Sequence, residues 1–156
     1  MTWTTFHRRG EVLRTVIDAV DARHDGLLPM DLPGVPETFG DELTLLGALQ
    51  LRWHTRLSGH LEQAVVHQPL EPDETAVAAW HATADELPGV RRILDRYRDE
   101  PLDGRMAETL AIATTKEHVL LAAMVGRTGT TAEETAAAGR ALEEQARASH
   151  RPRVAA

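Results

Sequence analysis

Apolar residues recur every three or four positions through most of the chain, with polar residues between them. This spacing places the apolar side chains on one face of an α-helix. The first such stretch runs from about Thr5 to His24. Its apolar face carries Phe6, Leu13, Val16, Ile17 and Val20. Because no stretch alternates β-branched and polar residues, the pattern predicts an all-α protein.

Prolines and glycines separate this first stretch from five further predicted helices. They are a second helix from about 38 to 67, a third beginning near 72, a shorter fourth after 88, a fifth from about 104 to 125 and a last one beginning near 131. Thr131 and Glu134 have the spacing of a capping box at the start of the last helix. We therefore expect a helical bundle of five to six helices in a single domain, residues 1–149, followed by a disordered tail, residues 150–156.

Three of the eight histidines, His54, His60 and His67, lie on the second predicted helix. The centre of its apolar face lies close to Gln50, and His54 falls about 60° from that centre, inside the face expected to be buried. His60 and His67 lie toward the opposite edge. Two metal ligands on one helix bind a single ion best when they are three or four residues apart. The wider separations here argue against a three-histidine metal site on this helix.

Glu117 is the anomaly of the fifth predicted helix, because it lies within about 20° of the centre of an otherwise apolar face. A carboxylate that faces a core must be paired, hydrogen-bonded, bound to a metal or protonated. If the second and fifth helices pack antiparallel, Gln50 and His54 are the side chains expected opposite it. His81 and His24 are further candidates on the apolar sides of their own helices.

Three explanations for Glu117 stay open at this stage. The first is an ion pair with Arg52 or Arg56, a common arrangement where helices cross. The second is a hydrogen bond between His54 and Glu117 that has only a structural role. The third is a site that binds a divalent metal or a small polar ligand through Gln50, His54 and Glu117, with the last two as the metal ligands.

Composition narrows the classes of protein. The chain has no cysteine, which excludes disulfides, cysteine-based zinc sites and thiol nucleophiles. Its 17 Lys+Arg against 24 Asp+Glu give a net charge of −7, which argues against binding to nucleic acid or to an anionic membrane. The longest apolar run, residues 119–125, is too short to cross a bilayer, and the N-terminus lacks an apolar stretch of signal-peptide length. We expect a cytoplasmic protein.

Motifs of known metal bundles and enzymes do not appear in the sequence. No glutamate is followed three residues later by histidine, as di-iron bundles require. There is no phosphate-binding glycine loop, dinucleotide fingerprint or nucleophile elbow. Ser58 and Ser149 have no recognisable base, and His118 is expected to point away from its neighbour Glu117. The sequence therefore leans away from an enzyme.

Three stretches carry a resemblance to a known group: "ETFGDELTLLGALQLRWHTRLSGHLE", "ADELPGVRRILDRY" and "TKEHVLLAAM". Through them most of the chain resembles an uncharacterised family of small all-α proteins from high-GC bacteria. That family has no known activity, so the resemblance implies no function.

The preferred interpretation is a non-catalytic interaction or regulatory protein. The long second helix and the alanine-rich last helix suggest a homodimer. The alternative is a bundle that binds a metal or a small polar ligand around Gln50, His54 and Glu117, with His81 as an additional contact.

Overall fold

The computed structural model describes residues 2–67 and 71–153. All of its regular secondary structure is helical, which confirms the all-α prediction. The helices are α1 (Trp3–Arg23), α2 (Val35–Phe39), α3 (Glu42–His67), α4 (Pro72–Glu86), α5 (Pro88–Asp99), α6 (Gly104–Met124) and α7 (Ala132–Ser149). Within these described ranges, no helix has both the length and the apolar character needed to cross a bilayer.

The expected number of helices, five to six, was slightly too low, since seven are present in the described ranges. The additional one is α2, which lies in the proline-rich connection. Pro36 sits in its first turn, and Gly34 and Gly40 flank it with φ angles of 85° and 80°. Left-handed glycines end helices readily. Gly40 therefore separates α2 from α3, where the sequence suggested a single start near Thr38.

Local capping explains where α3 and α7 begin. The carboxylate of Asp41 accepts a hydrogen bond from the main-chain N–H of Thr44 at 2.8 Å, and the bonds from Thr44 lower the pKa of Asp41. The Thr131 hydroxyl accepts from the N–H of Glu134 at 3.1 Å. The Glu134 carboxylate accepts in return from the N–H of Thr131, so the predicted capping box is confirmed.

The chain divides into two compact units, Met1–Trp53 with Leu87–Ala107 and His54–Glu86 with Glu108–Ala156. In the first unit, α1 packs against α5 and α2. The crossing of α1 and α5 is close because Gly89 has no side chain: a methyl group there would overlap the main chain of Val20. The N–H of Gly89 donates to the Asp21 carboxylate at 2.8 Å. Burial raises the pKa of Asp21, and the bond from Gly89 opposes that rise.

The core of the first unit also contains a buried cation. Arg91 is 5% exposed, and its guanidinium carbon lies 4.5 Å from the centre of the Trp53 ring. One turn further along α5, Asp95 pairs with this guanidinium at 2.8 Å. An ion pair against an aromatic face is an effective way to hold an arginine away from water. This contact ties α5 to the middle of the long helix α3.

In the second unit, α7 packs against α4 and approaches α6 closely at Gly139, where a methyl group would overlap the main-chain carbonyl of His118. The small residues Thr135, Ala136 and Ala146 are buried on the same face. The alanine-rich helix therefore uses its small-residue face inside the chain. The homodimer that the sequence suggests in part from this helix stays a prediction.

The predicted tail, residues 150–156, is described in part. His150 is half-buried and its Nε2 lies 3.0 Å from a carboxylate oxygen of Asp85. Residues 154–156 lie outside the described residues.

The close approach at Gly139 makes a testable prediction about stability. Gly139→Ala forces α7 away from α6 and should lower the free energy of unfolding by about 1–3 kcal/mol, the usual cost of overpacking a core. Gly59→Ala is the matched control, because this glycine is also within a helix but has open space around its Cα. It should be neutral or stabilising by about 0.5–1 kcal/mol. Urea unfolding of both variants measures the difference, and equal midpoints would contradict the close packing.

Candidate functional site

Glu117 lies in the interior, as its position on the helical wheel predicts. Its side chain is 1% exposed, although it lies between Lys116, which is exposed, and His118, which is buried. Burial of an unpaired carboxylate is strongly unfavourable. The buried carboxylate of Glu117 is not free, and it interacts with a neighbouring group.

The other two predicted members of the site are less buried than expected. Gln50 and His54 are both of intermediate exposure. The residues of α3 with 0% exposure are Leu45, Leu46, Leu49, Trp53, Leu57 and Leu61. This stripe is rotated from the one inferred from sequence, so Gln50 and His54 lie at its edge. Among the described residues, no hydrogen bond joins His54 to Glu117, and binding of a ligand by this set stays a prediction.

One of the two arginines expected beside Glu117 has a different partner. The Nε of Arg56 donates to the Glu86 carboxylate at 3.1 Å, and Nε2 of His60 lies 2.8 Å from the same carboxylate. Burial acts to raise the pKa of Glu86, but the bonds from His60 and Arg56 outweigh it and lower the pKa. The three side chains form a partly exposed cluster linking α3 to the end of α4.

The metal hypothesis gains no geometric support. Within residues 2–67 and 71–153, no group of three or more histidine, cysteine, aspartate or glutamate side chains is placed to hold a metal ion. His24 is the exposed C-cap residue of α1, where its carbonyl accepts from Arg92 at 2.6 Å. His81 is directed at α7.

His118 is the residue that sequence reasoning set aside and the structure brings into a buried network. Its Nε2 contacts the carboxylate of Glu143 on α7. Arg147, one turn further along α7, donates to the other oxygen of Glu143 through Nε at 2.9 Å and Nη2 at 2.7 Å. Its guanidinium lies 5.1 Å from the centre of the Trp80 ring. The i, i+4 spacing of Glu143 and Arg147 was a usable signal for part of this network.

Two further histidines hold the end of α7 against α4. The Nε2 of His81 donates to the main-chain carbonyl of Ala146 at 2.8 Å, and His150 bonds to Asp85. The Trp80 ring meets the His150 ring edge to face, with centroids 5.7 Å apart. Cationic and N–H donor groups are favourable at a helix C-terminus, where main-chain carbonyls lack partners.

Ser149 and His81 resemble a catalytic pair but do not have its chemistry. The Ser149 Oγ lies 3.3 Å from Nε2 of His81. A carbonyl can only accept, so the bond to Ala146 requires that Nε2 carries a proton. The Ser149 hydroxyl donates to the carbonyl of Gln145 at 2.9 Å. His81 therefore has no lone pair on this nitrogen with which to deprotonate Ser149, as a nucleophilic mechanism would require.

The N-terminal half of α1 carries two large aromatic side chains that are exposed. Trp3 is 76% exposed and Phe6 is 70% exposed, and both continue the stripe that includes the buried residues Ile17 and Val20. The full stripe is Trp3, Phe6, Gly10, Leu13, Ile17 and Val20, with alternating separations of three and four residues. This heptad spacing is the pattern of helix–helix packing. We call Trp3, Phe6, Gly10 and Leu13 the α1 docking face.

A groove lies on the other side of the same half-helix, between α1 and α2. Its volume is about 810 Å³. Its lining includes Thr5, Arg8, Arg9, Val12, Glu37 and Thr38. The Arg9 guanidinium carbon lies 4.8 Å from the centre of the Phe39 ring. We call this feature the arginine groove.

The buried network makes a prediction about Glu143. Glu143→Ala removes the shared acceptor of His118 and Arg147 and should lower the free energy of unfolding by about 3–5 kcal/mol, the range for breaking a buried charged pair. Glu144→Ala is the control, since Glu144 is the exposed neighbour on the same helix, and it should change stability by no more than about 0.5 kcal/mol. Chemical denaturation distinguishes the two. A similar, small effect of both would show that the network contributes little.

Glu86 makes a prediction about pH. Its pKa is lower in the folded chain than in the unfolded chain, so its contribution to stability is present above the unfolded value. That contribution is lost as the pH falls through the folded value. The difference in unfolding free energy between the wild type and Glu86→Gln should therefore be present above the usual pKa range of glutamate, about 4.3, and shrink as the pH falls below that range. A difference that persists unchanged in acid would contradict this assignment.

Comparisons with known proteins returned no match. No protein-family model matches the chain, no curated protein matches its sequence, and no solved structure matches it. The geometry of the chain is therefore the basis for its proposed function.

Proposed function

We propose that this chain is a non-catalytic interaction protein and that a partner binds to the α1 docking face. The observation that carries the proposal is the change along one apolar stripe. Ile17 is 8% exposed and Val20 is 2% exposed. Trp3 and Phe6 lie two heptads before Ile17 and Val20, respectively, and are mostly exposed. A stripe of this kind is typical of a helix whose second half is covered by its own chain and whose first half is covered by another.

The size of the exposed groups supports a binding role. A tryptophan and a phenylalanine each bury about 150–250 Å² when covered, and apolar burial contributes about 25 cal/mol per Å². Covering both is therefore worth several kcal/mol before the costs of association. Tryptophan is also among the residues most enriched at energetic centres of interfaces. Gly10, between Phe6 and Leu13, has open space around it and leaves room for a large side chain of the partner.

Charge identifies the chemistry of the partner. The exposed half of α1 carries His7, Arg8, Arg9 and Arg14 against a single acid, Glu11. This local positive charge occurs in a chain whose net charge is −7. We infer that the occupant is an amphipathic helix with acidic residues beside its apolar stripe, since opposite charges flank paired helices favourably.

A second copy of the chain is the rival occupant, in keeping with the homodimer expected from the sequence. An antiparallel pair of α1 helices would place Phe6 opposite Gly10 and Trp3 opposite Leu13. It would also bring Arg9 of each copy close to the other, and like charges at such positions are unfavourable. For this reason we favour the acidic helix.

Substitution of the two aromatic residues tests the docking face. The probe is a synthetic helical peptide with leucine at a and d positions and glutamate at e and g positions. Trp3→Ala and Phe6→Ala should each weaken its binding about tenfold or more, the effect of losing an interface anchor. Ile112→Ala is the control, because Ile112 is another large exposed apolar residue, on α6, and it should bind as the wild type does. Isothermal titration calorimetry provides the constants.

Three results would contradict the proposal. The first is wild-type binding by both aromatic variants. The second is equal weakening by Ile112→Ala, which would indicate nonspecific apolar contact. The third is a wild-type dimer in sedimentation velocity that Trp3→Ala converts to a monomer, since the occupant would then be a second copy.

A further inference from the structure

We propose that the arginine groove binds the carboxylates of an extended acidic segment that continues from the partner's helix. This inference rests on the proposed function, because it concerns the same partner. It adds a second contact on a different side of α1, with its own residues and its own test.

Several other arginines on the surface pair with a carboxylate of the same chain. Arg23, Arg56 and Arg127 each form an ion pair with a carboxylate at 3.0, 2.9 and 2.7 Å. Among the described residues, Arg8 and Arg9 form no ion pair. The chain has more acidic than basic residues, so carboxylates are not scarce. Arg8 and Arg9 therefore place two neighbouring guanidinium groups, neither in an ion pair, on one wall of a groove, where an external anionic ligand can reach them.

Arg9 is held in a conformation suited to such a ligand. Its guanidinium lies over the ring of Phe39, and Phe39 is 4% exposed, so the platform beneath it is part of the core. A guanidinium that lies over an aromatic ring can still offer its in-plane N–H donors to a ligand. These donors match the two oxygens of a carboxylate in a bidentate arrangement. The contact with Phe39 restricts the Arg9 side chain before a ligand binds. Less conformational entropy is then lost on binding, which favours it.

The remaining lining indicates a peptide rather than a small dianion. A volume of about 810 Å³ is within the usual range of ligand sites, about 300–1,000 Å³. Thr5 and Thr38 offer hydroxyl groups, and Val12 offers an apolar contact for the stem of a side chain. Glu37 lies in the same groove and repels a concentrated negative charge more than it repels single, spaced carboxylates.

The test compares two forms of the helical peptide, one with a run of aspartates added at an end and one with a run of serines of the same length. Both are made with the extension at either terminus. For the wild type, the aspartate extension should strengthen binding about tenfold relative to the serine extension. This gain should disappear in the double variant Arg8→Gln, Arg9→Gln. It should increase in Glu37→Gln, because a like charge has been removed from the groove.

Arg14→Gln is the matched control. Arg14 is an exposed arginine of the same helix and does not line the groove, so this variant should keep most of the gain. Loss of the gain in Arg14→Gln to the same extent as in the double variant would assign the effect to general positive charge and overturn the inference. A wild type that shows no gain, or a double variant that keeps it, would also overturn it.

The peptides with serine and aspartate extensions test the α1 docking face and the arginine groove independently. Binding of the serine-extended peptide depends on Trp3 and Phe6 and reports on the α1 docking face. The difference between the two extensions reports on the arginine groove. Inorganic phosphate is added as a competitor. If phosphate removes the gain in affinity at concentrations far below those that screen charge, the groove is a phosphate site. That result would contradict the assignment to a peptide.

Discussion

The close crossing of α1 and α5 determines how much of α1 the chain covers. Gly89 lets the two main chains meet at Val20, and its N–H bonds to Asp21, while Arg92 reaches the carbonyl at the end of α1. All of these contacts lie in the last turns of the helix. In the first turns, Trp3 and Phe6 of the apolar stripe stay mostly exposed, and the proposed interaction surface lies beyond the part of α1 that α5 holds.

The second unit is stabilised in a different way. Its last helix has few large apolar residues on the buried face, with Leu142 as the largest aliphatic one. Close main-chain packing at Gly139 and the buried contacts of Glu143 take the place of bulk. The strength of such contacts depends on hydrogen-bond geometry as well as on buried area. A buried carboxylate that loses its hydrogen-bond donors lowers the stability of the fold. We therefore see the histidines His81, His118 and His150 as parts of the scaffold rather than as a reactive site.

Much of the fold could be predicted from the sequence because helical periodicity reports which face of each helix is buried. The all-α class, the capping box at Thr131 and the burial of Glu117 all follow from this local information. The short helix α2 could not be predicted with the same ease, because five residues between two glycines contain too little periodicity to distinguish a helix from a turn. It changed the number of helices and supplied one wall of the arginine groove.

The candidate site was harder to predict, since contacts between helices depend on their rotation and not only on their sequence. A small rotation of the α3 stripe moved Gln50 and His54 to its edge, and the contact between His118 and Glu143 joins residues far apart in the chain. Periodicity also placed Phe6 on the same face as Ile17, but it cannot show whether that face is covered by the chain itself or by a partner. The exposure of Trp3 and Phe6 in the structure shows that the chain itself leaves most of their surface uncovered.

Hydrogen–deuterium exchange of the main-chain amides, with and without the acidic helical peptide, shows which helix the peptide covers. We expect the peptide to slow exchange in the first three turns of α1, where an uncovered helix end opens readily. We also expect little change in α4 and α7. Protection confined to another part of the chain, or no protection of α1 at saturating peptide, would contradict the proposal.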